Sequence, residues 1–151
     1  MKKFLLVSAF FTGLLAAQIA VNFNPNTGDA ALDLSLNSLN VTAKADLKTF
    51  TGDISATYKI EVPKIEALIT TQKLEPAEIF LAAELAAIAK KPIDEVVKTY
   101  TANKAKGWGA VAKALNIKPG SPEFKALKGK ADDKNAKAKA KKETKGKPAK
   151  K

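Results

Sequence analysis

Only the middle of this chain can build a core, because composition commits both ends to something else. Eleven of its 26 lysines fall between Lys128 and Lys151, against three acidic residues, Asp132, Asp133 and Glu143. That stretch has no apolar side chain larger than alanine. A segment so charged and so poor in apolar surface cannot offset its own ordering entropy and is expected to be disordered. At the other end, Lys2 and Lys3 precede an uncharged apolar run from Phe4 to Ala17, and small residues cluster at Ala16, Ala17 and Ala20. Between Gln18 and Leu127, thirteen lysines face twelve acidic residues. The formal net charge of +11 therefore belongs to the ends, and the part able to fold is nearly neutral.

The order at the N-terminus, positive, then apolar, then small, is that of a secretory signal peptide over residues 1–20. Cleavage is expected after Ala17, with Leu15 at −3, or after Ala20, with Gln18 at −3. Counted from Phe4 to Val21 the apolar run is 18 residues, the lower limit for a spanning helix. An uncleaved anchor with Lys2 and Lys3 in the cytoplasm is thus the alternative. Gly13 and the small residues near Ala17 favour cleavage. The product is expected in the periplasm or secreted, with no stable transmembrane span once cleaved.

The chain has no Cys, no His and no Arg. Lipid attachment at a signal-peptide junction needs a cysteine, so a lipoprotein is excluded. Disulfides are excluded too, and the fold must rest on an apolar core or on a partner. Zinc and copper sites of the usual ligand types cannot be built, nor can Ser–His or Cys–His nucleophilic machinery. Without Arg the planar fork for carboxylate and phosphate is missing, although a preference for Lys codons explains that absence equally well.

About 130 residues follow the signal, one domain's worth. Residues 21–30, with Asn22 to Asp29 rich in turn formers, are a linker. Over 31–62 apolar and polar residues alternate. Leu32, Leu34 and Leu36 share one face. After a phase slip near Ser38 the pattern resumes with Leu39, Val41, Ala43, Ala45 and Leu47, and, past Thr51-Gly52-Asp53, with Ile54, Ala56, Tyr58, Ile60 and Val62. Period two with one wet face predicts an antiparallel β-hairpin or meander. Residues 63–128 predict a cluster of four to five short helices. These open near Pro63, Pro76, Pro92 and Trp108, with Asn116 left-handed at the end of the Trp108 helix and Ser121-Pro122 starting a final turn with Phe124 and Leu127. Strands followed by helices give an α+β fold, with residues 129–151 as a disordered basic tail.

The block from Lys104 to Lys128, Lys-Ala-Lys-Gly-Trp-Gly, then a helix, a Pro-Gly-Ser turn and a Glu-Phe pair, is the most distinctive in the chain. In it the chain resembles a family of small exported bacterial proteins of unknown function. The likeness extends over Ala31 to Leu127, with Ala105 where glycine is usual and Lys125 where histidine is common. The resemblance implies export and fold, and carries no activity. Trp108 between Gly107 and Gly109 is either an exposed aromatic platform for a ligand or a packing anchor for which the glycines make room.

Val111 to Phe124 also has the outline of a helix-turn-helix with Lys118, Lys125 and Lys128 toward phosphates. A second helix of about two turns, Glu123 where bases would be read, and the lack of Arg weigh against it. The tail resembles those of linker histones and bacterial nucleoid proteins and binds polyanions by counterion release, or only keeps the chain soluble. Its candidate contacts are Lys134, Lys137, Lys139, Lys141, Lys142, Lys145, Lys147, Lys150 and Lys151. Glu75, Glu78, Glu84, Asp94 and Glu95 are expected in first helical turns or on wet faces, with nothing pairing them across a cleft as a glycosidase needs. The expectation is a non-enzymatic envelope protein without cofactors. Its tail contacts an anionic envelope polymer or surface, its folded part a protein partner near Trp108, and nucleic-acid binding is the alternative.

Overall fold

The computed structural model describes residues 23–145, the side chains of Lys142 and Lys145 excepted, and every regular element among them is a helix. The expected α+β fold is therefore corrected. The region predicted as a β-hairpin or meander is two helices, α1 (Ala30–Ala45) and α2 (Leu47–Tyr58). The expected signal peptide and its cleavage sites at Ala17 and Ala20 lie outside the described residues. No described helix is long and apolar enough to cross a membrane.

The physical reason is in the spacing. The buried apolar residues of α1, Leu32, Leu36, Leu39 and Ala43, step by four, three and four along one helical face, which Asn40 shares. Leu34 and Val41, core residues in a strand, are each 72% exposed. Asp29 starts α1 by accepting the Leu32 N–H at 2.9 Å. Asp46 ends α1 and starts α2, accepting the Thr49 N–H at 3.2 Å. Both are side-chain oxygens satisfying the free N–H groups of a first turn. Along α2, Phe50 and Ile54 are buried one turn apart, and the β-favouring Thr51 bonds its hydroxyl back to Leu47 and Lys48 carbonyls.

The remaining helices are α3 (Val62–Thr70), α4 (Pro76–Ala89), α5 (Ile93–Ala102), α6 (Trp108–Ala114) and α7 (Pro122–Lys145), with a 3₁₀ turn at Lys104–Lys106. Pro76 stands at the first position of α4, where its missing N–H costs nothing. Asn116 has φ +62°. The helix α4 is central: every residue from Pro76 to Ala86 is buried, as a helix apolar on all sides requires. It packs against α1, α2, α3, α5 and α7.

The tail expected to be disordered over 129–151 is instead helical as far as Lys145, and residues 146–151 lie outside the described residues. Helix α7 runs 24 residues to Lys145 and lies chiefly on α1. Phe124, Leu127 and Ala131 are buried at a spacing of three and four, and Ala and Lys are strong helix formers. The basic segment needs no core of its own because its first turns borrow that of the body.

Helix and strand readings of α1 assign opposite roles to neighbouring leucines. Leu36→Ala is expected to cost about 2–5 kcal/mol, whereas Leu34→Ala stays within about 0.5 kcal/mol. Equilibrium urea unfolding of the two variants measures both, and equal losses would restore the strand.

Candidate functional site

The basic helix α7 is seated on the body by a row of acidic partners. Lys128 Nζ reaches Asp29 at 3.2 Å, Lys130 Nζ donates to Glu84 Oε2 at 2.8 Å, and Lys141 Nζ donates to Asp53 Oδ2 at 3.2 Å. Lys134 lies 3.9 Å from the same Asp53 oxygen. The Ser35 hydroxyl donates to Asp132. Lys137 and Lys139, also exposed, have no ion pair among the described residues. Of the remaining candidate lysines, the side chains of Lys142 and Lys145, and Lys147, Lys150 and Lys151 altogether, lie outside the described residues.

Glu84 is the residue that sequence reasoning placed wrongly. Expected on a wet face, it is 1% exposed. The Tyr58 hydroxyl donates to Oε1 and Lys130 to Oε2, so both oxygens are occupied, as a buried carboxylate requires. Burial first, then the hydrogen bond to Glu84, raises the Tyr58 pKa well above the usual tyrosine value. Glu78, likewise expected in a solvated first turn, is buried. It accepts from the Glu75 N–H at 2.8 Å and from the Tyr100 hydroxyl. Burial and Glu78 raise the Tyr100 pKa in the same way. Two acids inside a helix with no polar face were the available signal, since such acids need partners from other helices.

Trp108 is 2% exposed and presents no platform to solvent. Its ring stacks on Tyr100 with centroids 4.2 Å apart and planes 11° off parallel. The flanking glycines have a separate cause. The segment Pro25 to Thr27 runs across the start of α6, where the Trp108 N–H donates to the Pro25 carbonyl and the Gly109 N–H to that of Asn26, both at 3.0 Å. A Cβ on Gly109 would lie 2.7 Å from the Thr27 carbonyl oxygen, and one on Gly107, at φ +75°, 2.6 Å from the Asn26 Cβ. The Gly-Trp-Gly motif is thus the seat of an N-terminal strap that caps α6 with main-chain carbonyls. Thr27, buried in the strap, donates its hydroxyl to Asp33 at 2.7 Å.

The helix-turn-helix outline is only partly met. The second helix is 24 residues long where two turns are expected, and its Phe124–Leu127–Ala131 face is packed inward.

Two concavities flank the α7 seat. One, of about 570 Å³ between α2, α4 and α7, has Tyr58, Phe80 and Glu84 at its base and Lys130 and Lys137 at its rim. The other, of about 350 Å³ between α1, α2 and α7, has Leu39, Ala43 and Phe50 in its lining. Asp53, Lys134 and Lys141 line both. Among the described residues no group of three His, Cys, Asp or Glu side chains gathers as a metal site would need. No protein-family model matches the chain, and no curated protein or solved structure matches it either.

The same substitution tests the strap from both sides. Gly109→Ala, which helix propensity alone would favour, is expected to destabilise by about 1–3 kcal/mol through overlap with Thr27. Gly129→Ala in α7, with nothing within 4 Å of its added Cβ, stabilises by about 1 kcal/mol. Thermal unfolding of both variants decides it, and two stabilised proteins would exclude the strap contact.

Alkaline titration reads the buried carboxylates. Tyr58 and Tyr100 are the chain's two tyrosines, so tyrosinate absorbance reports on them alone. Both hydroxyls hold their protons more tightly in the folded protein than at the ordinary value of 10.0. Their contribution to stability is whole below about pH 10 and is lost as pH rises toward the folded values. The expected curve shows no ionisation near pH 10, then a cooperative rise with alkaline unfolding. Smooth ionisation near pH 10 with the fold intact would exclude the hydrogen bonds to Glu78 and Glu84.

Proposed function

We propose that this is an exported, non-enzymatic protein of the cell envelope that holds anionic polymer or lipid surface with the lysines of α7 and of the residues beyond it. The observation that carries the reading is how the eleven lysines from Lys128 onward are divided. Lys128, Lys130, Lys134 and Lys141 are engaged by Asp29, Glu84 and Asp53 of the body. Lys137 and Lys139 are exposed without such partners among the described residues, and five more lysines follow at 142, 145, 147, 150 and 151. One set fixes the helix to the body, while Lys137 and Lys139 stand clear of it for a polyanion. The apolar run after Lys2 and Lys3, and the likeness of Lys104 to Lys128 to small exported proteins, support export. The absence of His and Cys from the chain supports a binding rather than a catalytic role.

Binding of this kind falls steeply with salt. Lysines close to an anionic surface contribute about 1 kcal/mol each. Replacing Lys137, Lys139, Lys142 and Lys145 by Gln is therefore expected to weaken co-sedimentation with anionic vesicles or lipopolysaccharide by roughly a thousandfold at low salt. The parent protein is released at about 0.5 M salt, three times the physiological strength. Sedimentation indifferent to salt and to the four substitutions would sink the reading. Tighter retention by duplex DNA than by either envelope preparation would favour nucleic acid instead.

A further inference from the structure

Lys134 is a half-buried lysine that is only loosely paired. Its side chain is 17% exposed, and its one ion pair among the described residues, to Asp53, is 3.9 Å long and not a hydrogen bond. The Asp53 carboxylate is taken by Lys141 at 3.2 Å. Desolvation accordingly lowers the Lys134 pKa, although Asp53 and Glu84 pull it the other way. An ammonium carries three donors, and those of Lys134, which still reach solvent, have no protein acceptor at hydrogen-bond distance among the described residues.

That ammonium belongs to the lining of the 350 Å³ cavity between α1, α2 and α7, whose apolar lining is Ala45 and Ala138 over the deeper Leu39, Ala43 and Phe50. The size is within the range of small-ligand sites. It equals the space of roughly twelve waters, enough for one medium-length alkyl chain but not for a two-chain lipid. The acidic residues in the lining do not call for a cation. Asp46 spends both carboxylate oxygens on Thr49 at the start of α2, and Asp53 is engaged as above.

We infer that this cavity is a binding site for a single-chain anionic amphiphile, its carboxylate or phosphate taken by Lys134 and its chain laid on Leu39, Ala43 and Phe50. The site is separate from the polyanion surface, because Lys137 and Lys139 do not line it. Burying the chain removes apolar surface from water, and the anionic head gives the ammonium the acceptors it lacks.

Calorimetric titration with decanoate, kept below its micelle concentration, tests the inference, with decyl phosphate as a second head group. One-to-one saturable binding of at least one of the two is expected. Lys134→Met keeps the apolar stem and removes the charge. It is expected to weaken the anion at least tenfold while leaving decanol binding within twofold. Ala138→Leu fills the cavity and abolishes both, with its melting temperature showing that the fold survives. Lys137→Gln with Lys139→Gln leaves decanoate binding unchanged, so failure here is distinguishable from failure of the polyanion reading. Absence of saturable binding by either anion overturns the site, as does a Lys134→Met protein that binds them like the parent. A preference for decyltrimethylammonium overturns it too, by assigning the cavity to Asp46 and Asp53.

Discussion

A helix with no solvent face cannot carry an ionised side chain unless its neighbours supply the hydrogen bonds, and α4 carries two. Glu78 and Glu84 lie six residues apart and turn toward different neighbours, Tyr100 on α5 in one case, Tyr58 on α2 and Lys130 on α7 in the other. A third polar tie, buried Asn40 of α1, donates to Glu75 at 2.9 Å and accepts the Ala77 N–H at 3.3 Å. Apolar burial would allow α4 to rotate or slide among several similar packings. The carboxylates do not, because every shift leaves a buried charge without donors, at a cost of several kcal/mol. The polar contacts select one arrangement, and the leucines and alanines supply most of its stability.

The same logic explains why so basic a helix is docked at all. Past Ala131, α7 has no apolar anchor larger than alanine, so its hold on the body passes from packing to ion pairs, Lys130 with Glu84 at the changeover and Lys134 and Lys141 with Asp53 beyond it. Glu84 is the strong point of this row, since its carboxylate is desolvated, whereas Lys130 and Lys141 are about half exposed and contribute little on their own. The helix is thus held firmly near its start and by progressively weaker, salt-sensitive contacts toward its end. The neutrality of the body and the basicity of the segment after Leu127 are two sides of one interface.

What could be read from the sequence followed local signals. Pro76 and Ser121-Pro122 mark helix starts by stereochemistry that needs no tertiary context, and those helices begin where the residues say. The strands failed for an equally local reason. Leu32 and Leu36, or Leu39 and Ala43, have the same parity, so two residues one turn apart fit period two as well as 3.6. The phase slip near Ser38 was the informative feature. A strand needs a bulge there, whereas a helix passes from Leu36 to Leu39 with no irregularity, and the carboxylate caps at Asp29 and Asp46 agree with it. Leu34 and Val41 completed the false alternation, and nothing local shows that they face solvent. Glu84 and the strap across Gly109 were hidden differently, since their partners are 26 and about 82 residues away in sequence.

A polyanion of the kind proposed would meet the lysines of α7 in two conditions. Those without partners bind it at no cost to the fold. Lys134 and Lys141 bind it only by leaving Asp53, and Lys130 only by stripping a donor from buried Glu84, which keeps the Tyr58 bond alone. The free energy of that last exchange is unfavourable unless the polymer supplies several contacts at once. Short anions without an apolar chain should therefore stay at the exposed lysines. Only a multivalent surface can compete along the whole row, and it would do so by loosening the end of α7 first, where packing contributes least. On the proposed polyanion reading, the acidic seat would set a threshold of valency, so that the body keeps its helix in the presence of small anions and yields its distal turns to a polymer.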